Sequence, residues 1–339
     1  MATNLSNSEV LEILGLPKTI VDKLKSDEAT TYKAAMNEFL PKLMNKIVYQ
    51  MIYSFDFSNP FKKYDSYPID FGDTAENVFV DLVNGYEYGT DGNDPFKEHK
   101  PNVYVSYVSL NYKMQYCVSV NRPIIRQACL GTYGFSKLAR DIAHSIVTKR
   151  EVDEYTAQII ALNNPAVYKK GIEELDISTL STDAEKMKKV TKTIGLTLSD
   201  MKLPSVSNNK AGVLTGTPFD NTLVVIKNEL KQNINFDYLA GVFNLDKVAI
   251  ASKFIEVRSF KTVVNDYSGA KVASSEKGDD IAFVILDDRG FDNHVALEDN
   301  DSIYNPKSKT INYFTDLWKA FGFNPTFQAR AFKLKEVAA

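Results

Sequence analysis

Three rhythms of apolar and polar residues follow one another along the chain. In residues 1–50 apolar residues come in short helical bursts cut by turn chemistry. Ser8 precedes Glu9-Val10-Leu11-Glu12-Ile13-Leu14, Gly15 stops the run and Pro17 follows. A second short helix is expected at Ile20 to Leu24, and a third from Tyr32 to Leu40 ends at Pro41. Such short pieces bury little on their own, so this stretch reads as an extended N-terminal arm. From residue 51 to 121 the helical period vanishes. Turn residues cluster at Asn59-Pro60, Asn84-Gly85 and Gly89 to Pro95, and Asn102 to Val120 is β-branched and aromatic. The pattern predicts a long two-stranded ribbon with a glycine-rich tip. An isolated ribbon is marginal in water and needs a surface to lie against.

The third rhythm is helical. Phe135 to Asn163 contains no Gly or Pro, and Leu138, Ile142, Ile146, Val152, Tyr155, Ile159 and Ile160 recur mostly at three- and four-residue steps. A helix of this length spans roughly 40 Å. Beyond it, Leu180 to Ile194 reads as a helix opened by a Thr182/Glu185 capping box. Leu223 to Ile226, Phe254 to Val257 and Ile281 to Leu286 read as strands, with a short helix at Tyr238 to Asn244. Thr310 to Ala320 and Thr326 to Lys335 read as an aromatic hairpin around Gly322-Phe323-Asn324-Pro325.

Composition adds a bias toward contact surfaces. The chain carries 18 Tyr and 20 Phe against one Trp, and aromatics are favoured where protein surfaces meet. The net charge of −3 gives no bulk attraction to nucleic acid. Cys117 and Cys129 are too few for a disulfide framework, so a reducing compartment is expected. The first residues lack a signal-peptide pattern and no apolar run approaches ~18 residues, so no membrane partner is expected.

Catalytic signatures are missing: no phosphate loop, dinucleotide fingerprint, nucleophile elbow or zinc helix is present. The three histidines are His99, His144 and His294, and His144 is expected at a surface or interface. Asp279, Asp280, Asp287, Asp288, Asp292, His294, Glu298, Asp299 and Asp301 bracket one strand and its turn. Oxygen-rich clusters hold Mg²⁺ or Ca²⁺, which leaves a metal-dependent hydrolase as a rival reading. Acidic residues are also ordinary turn formers, and the spacing matches no calcium loop. Lys186, Lys188, Lys189 and Lys192 form a basic patch that either faces nucleic acid or is the solvated side of its helix. No catalytic residue, metal site or cofactor is expected.

The order of helical arm, ribbon, long helix and mixed α/β region resembles the tailed-phage capsid fold, often called HK97-like. Phe236 to Asn244, Ile303-Tyr304-Asn305-Pro306 and Phe327-Gln328-Ala329-Arg330-Ala331-Phe332 also resemble the small podophage capsid proteins of the phi29 relatives. The resemblance implies an α+β fold with an N-terminal arm at 1–50 and an extended loop at 51–121. It further implies a spine helix at 135–163, a peripheral domain at 122–178 plus 302–339, and an axial domain at 179–301. It implies a major capsid protein, not an enzyme, assembled from many copies as hexamers and pentamers in the host bacterial cytoplasm and carried in the virion. A separate scaffolding protein and a portal are implied partners, and the enclosed double-stranded DNA is held without sequence-specific binding. Tyr86, Tyr88, Phe96 and Lys97 at the loop tip are expected to contact a neighbouring subunit. Leu138, Ile142, Ile146, Tyr155 and Ile159 are expected to pack the spine. An encapsulin-type nanocompartment, which uses the same fold, is the alternative shell.

Overall fold

The computed structural model of the chain describes residues 19–25, 57–69, 74–85, 98–121, 134–243, 246–266, 268–275, 281–308 and 310–335, with Pro17, Thr31 and Ala35. The body is built around a five-stranded mixed sheet in the order β4 (Ile172–Asp176), β12 (Ala329–Lys335), β9 (Ile281–Asp287), β5 (Thr222–Lys227), β6 (Phe254–Val257). The two apolar runs that the sequence marks, at 223–226 and 281–286, become its central strands. Nearly every residue in them is buried, because both faces of the sheet are covered.

One face packs Leu223, Val225, Ile281, Val284 and Leu286 against Ile159 and Leu162 at the end of helix α2 (Gly134–Leu162), with Phe61 and Tyr168 completing the layer. The other face packs Val224, Ile226, Phe283 and Ile285 against Val190, Ile194, Leu198 and Met201 of helix α3 (Asp183–Lys202). The α3 stripe has the three- and four-residue spacing of an amphipathic helix. Its start is fixed by the capping box: the Glu185 amide donates to Thr182 Oγ1 at 3.3 Å and the Thr182 amide to Glu185 Oε2 at 3.4 Å. Short helices α4 (Asn228–Lys231), α5 (Phe236–Phe243) and α6 (Lys247–Ala251) close the same side, with Leu239 and Ile250 buried.

A second sheet, β10 (His294–Asn305), β11 (Thr310–Ala320) and β3 (Tyr112–Asn121), is fully antiparallel with β11 in the centre. Alternate residues Ile311, Tyr313, Thr315, Leu317 and Lys319 of β11 are buried. A separate two-stranded hairpin joins β1 (Thr74–Val80) to β2 (Val103–Ser109), in register from Thr74↔Ser109 to Val80↔Val103. A smaller hairpin pairs β7 (Val263–Asn265) with β8 (Lys271–Ser274). In the arm, helix α1 (Thr19–Lys25) buries Ile20; of the other arm helices expected from the sequence, only the helical, buried Ala35 lies within the described residues.

Two expectations change. The run from Asn102 to Val120 is two strands, not one: β2 pairs with β1, then the chain breaks at Leu110–Asn111 and β3 pairs with β11. Both halves keep the same two-residue period, which reports a strand without reporting its partner. The aromatic segments 310–320 and 326–335 are likewise not a hairpin. β11 belongs to the three-stranded sheet and β12 to the five-stranded one, between β4 and β9. The turn between them carries the chain from sheet to sheet.

Candidate assembly surface

The β1–β2 hairpin is anchored at its root, and beyond it the inward side is half-buried while the outward side is exposed. At the root, Ala75 and Val108 are buried against Ala320, with Ile69 alongside. The approach is close enough that a Cβ on Gly322 would meet Val108 Cγ2 at 2.5 Å, so this position requires glycine. Asn111 splices the two pairings. Its side-chain amide donates to the Phe321 carbonyl at 2.7 Å and its Oδ1 accepts from the Phe321 amide at 2.9 Å, imitating a backbone pair. Farther along β1, the Asn77 side chain donates to Asp292, whose other oxygen meets His294 Nε2 at 2.7 Å.

Antiparallel partners share a face, so Glu76/Tyr107, Val78/Val105 and Val80/Val103 all project to the side away from that root. Their exposure decides the matter: Val78 is 61% exposed, Val80 58% and Tyr107 67%, with Leu82 at 67% and Val83 at 85% just beyond. A contiguous apolar face on a two-stranded ribbon is unusual in a monomer and marks an interaction surface. Covering each such side chain would contribute about 1–2 kcal/mol.

Beneath the root lies a buried ion network that joins helix α2 to both neighbouring layers. Lys319 Nζ, 2% exposed at its side chain, reaches Glu154 Oε2 at 2.6 Å and Asp65 Oδ2 at 2.7 Å. Glu154 also accepts from Arg150 Nε at 2.7 Å, and Arg150 forks onto Glu298 of β10 at 2.5 and 3.2 Å. Burial alone would push the Glu154 carboxyl up, but the Lys319 and Arg150 charges together hold it below the usual carboxylate range. Asp65 goes the other way. Burial raises it, the single Lys319 contact offsets that only in part, and the neighbouring Glu154 charge adds to the rise. Lys62 pairs with Glu151, which also accepts from the Asn59 amide at 3.2 Å, while Lys149 pairs with Asp153 at 2.6 Å. Tyr116 donates to Asp153 at 3.4 Å and shares a 2.8 Å hydrogen bond with Tyr112; burial pushes both phenols well up. Three carboxylates of one helix turn, Glu151, Asp153 and Glu154, are thereby matched by cations and a hydroxyl from the 57–69 segment, β3, β11 and α2 itself.

The positions singled out from the sequence fall as follows. Ile146 and Ile159 are buried and Tyr155 is half-buried, stacked on Phe61 at 5.8 Å, whereas Val152 is exposed. Leu138 and Ile142 lie on the first half of α2, where the backbone alone is described. Tyr86, Tyr88, Phe96 and Lys97 lie outside the described residues. His144 is exposed on α2.

The acidic cluster disperses. Asp279 and Asp280 lie outside the described residues, and the others are spent separately. Asp287 caps the following turn and pairs with Arg289 at 2.6 Å, Asp292 holds His294, and Glu298 holds Arg150. Asp299 bonds the next amide, and Glu298, Asp299 and Asp301 sit within strand β10 instead of a turn. Among the described residues, no three His, Cys, Asp or Glu side chains gather to hold a metal ion. The hydrolase reading therefore loses its constellation. Of the four lysines, Lys186 approaches Asp183 at 3.5 Å and Lys189 donates to the Asp176 carbonyl at 2.5 Å, while Lys188 and Lys192 are exposed.

Sequence reasoning missed Lys319 and Glu154, and placed Glu298 in an acidic cluster instead of in an ion pair with Arg150. One signal was legible: Lys319 falls on the same strand parity as Ile311, Tyr313 and Leu317, so it points inward with them.

Comparison with known proteins agrees with this architecture. The capsid chain of Staphylococcus phage Andhra superposes with a TM-score of 0.67 at 10% identity, over 84% of this chain and 86% of that one. The mature capsid of bacteriophage PhiM1 gives 0.54 at 10% identity, over 84% and 90%. The fold is the α+β, HK97-like fold of phage capsid proteins. In sequence, the major capsid protein of Streptococcus phage Cp-1 is 25% identical over 296 residues, 82% of this chain and 77% of that protein. That of Bacillus phage PZA is 22% identical over 314 residues, 91% of this chain. The chain spans about two thirds of the length of the Bacillus phage relatives, 66% for PZA and 64% for B103. A model of the Phi29-like phage major capsid protein family matches residues 19–333, and the chain belongs to that family.

Proposed function

We propose that this chain is the shell subunit of a small tailed-phage head, assembling in many copies, as hexamers and pentamers, into an icosahedral capsid that encloses double-stranded DNA. The observation that carries the reading is the outward apolar face of the β1–β2 hairpin, anchored at one end and, among the described residues, left exposed. A shell subunit must contact several copies of itself through separate patches, and an outreaching ribbon supplies one such patch. The hairpin is the extended loop, α2 the spine helix, and the unit around α3, α5 and α6 the axial domain. Tyr86, Tyr88, Phe96 and Lys97, between β1 and β2 in sequence, extend the same contact. The chain works through surfaces and not through catalysis. Family membership favours a virion component, assembled in the host cytoplasm around a separate scaffolding protein and a portal, over an encapsulin-type compartment. With a net charge of −3, the subunit holds the genome by confinement instead of base-specific capture.

Negative-stain microscopy and sedimentation of the chain expressed with its scaffolding protein test the proposal. Closed shells in the megadalton range are expected. A strictly monomeric product at high concentration, with scaffold present, would overturn it.

A further inference from the structure

The His294 ring lies between two acceptors. Its Nδ1 is 2.8 Å from the Tyr67 carbonyl oxygen, which has no proton to give, and its Nε2 is 2.7 Å from Asp292 Oδ1. A neutral imidazole has one N–H and one lone pair, so it can satisfy only one of these contacts; the imidazolium satisfies both. The other oxygen of Asp292 accepts from the Asn77 side chain, so the carboxylate is engaged on both sides. Three parts of the molecule meet here: β1 through Asn77, the 57–69 segment through Tyr67, and the entry to β10 through His294 and the preceding Asp292. His294 is 1% exposed, with the Tyr67 ring edge-on at 4.7 Å. Asp292 and, from the 57–69 segment, Asp65 face it with negative charge, and Lys319 of β11 pairs with that Asp65. From β1 the facing group is the neutral Asn77.

We propose that Asn77, Asp292, His294 and Tyr67 form a protonation-dependent latch at the root of the β1–β2 hairpin. With His294 charged, both ring contacts close and the hairpin root is fixed to the body. With His294 neutral, one contact is lost and the root loosens. Adjacent backbone pairs share its fate: the Ser66 amide donates to the Asn293 carbonyl at 2.7 Å and the Ile69 amide to the Val295 carbonyl at 2.9 Å. The hydrogen bond to Asp292 raises His294 above its ordinary value, burial opposes the rise, and the Tyr67 carbonyl adds to it. The sign follows. A raised folded-state value means that the latch is fully closed below about pH 6.5 and opens as pH rises through the higher folded value. The latch stands on this geometry alone. Its use, setting the angle at which the hairpin meets a neighbour, rests on the shell reading above.

Hydrogen–deuterium exchange on the unassembled full-length chain tests the latch from pH 6 to 9, corrected for intrinsic rates, with the His294 ring followed by NMR in the same samples. The amides of Ser66 and Ile69 and those of 74–80 are expected to lose protection severalfold as His294 deprotonates, while those of β9 stay unchanged. His294→Gln should abolish that pH step, and Asn77→Ala, at a half-buried position away from the core clusters, should weaken protection of 74–80 at low pH. Protection at the root that ignores His294 titration, or a step that survives His294→Gln, would overturn the proposal. Because no shell is needed for this measurement, its failure is separable from a failure to assemble.

Discussion

Strand β9 and the two strands of the β1–β2 hairpin are each seven residues long and similarly rich in β-branched residues, yet they live in opposite environments. β9 has a paired neighbour on each edge and an apolar layer on each face, and all seven of its residues are buried. Among the described residues each hairpin strand pairs with the other alone, and exposed residues alternate along both. The difference is one of partners, not of local preference. Valine at β5 position 225 is 0% exposed and valine at β1 position 78 is 61% exposed. A fold that can bury β9 so completely has no difficulty burying valines, and the outward hairpin valines are the basis for proposing that their cover comes from another chain.

The comparison can be pressed hardest in the body. Phe283→Ala removes a ring stacked on Phe332 at 4.9 Å inside the sheet–α3 layer, and urea unfolding should show a loss of about 3–5 kcal/mol. Next comes the seam between body and hairpin root. Lys319→Ala leaves the buried Glu154 and the half-buried Asp65 without their shared cation, so a loss of about 3 kcal/mol is expected in the same assay. The seam also has an acid limit. Because Glu154 is held below its ordinary value in the folded state, its contribution is present above about pH 4.3 and is lost as pH falls through the lower folded value. Unfolding midpoints measured from pH 7 down to pH 3 should therefore drop for the parent, and drop less for Glu154→Gln. A smaller effect is expected at the α3 cap, where Thr182→Ala should cost about 1 kcal/mol.

The same contrast explains what could be read without coordinates. The long helix expected at 135–163 is observed at Gly134–Leu162, because 29 residues free of Gly and Pro with an apolar stripe leave few alternatives. The strands at 223–226 and 281–286 were legible as short unbroken apolar runs, the mark of a sheet covered on both faces. Pairing was not legible. Nothing in the period of Val103 to Val120 announces that Asn111 will hand the chain from β1 to β11, since that hand-over is made by a hydrogen bond to Phe321, 210 residues away. Nor could the acidic residues after 286 be sorted from sequence into a cap, a histidine contact and an ion pair, because Arg289, His294 and Arg150 reach them from different distances along the chain. The candidate surface itself was half legible: the ribbon and its need for a partner follow from composition, while the outward face follows only from the register.

The central claim is that the outward hairpin face serves assembly and not folding. It is tested most directly by Val78→Lys/Val105→Glu, an opposite-charge pair at directly opposed positions that keeps the hairpin paired while removing its apolar face. Sedimentation with scaffold present, read beside the urea midpoint, should give a midpoint within about 0.5 kcal/mol of the parent and no closed shells. Shells at the parental yield, with that midpoint unchanged, would contradict the account.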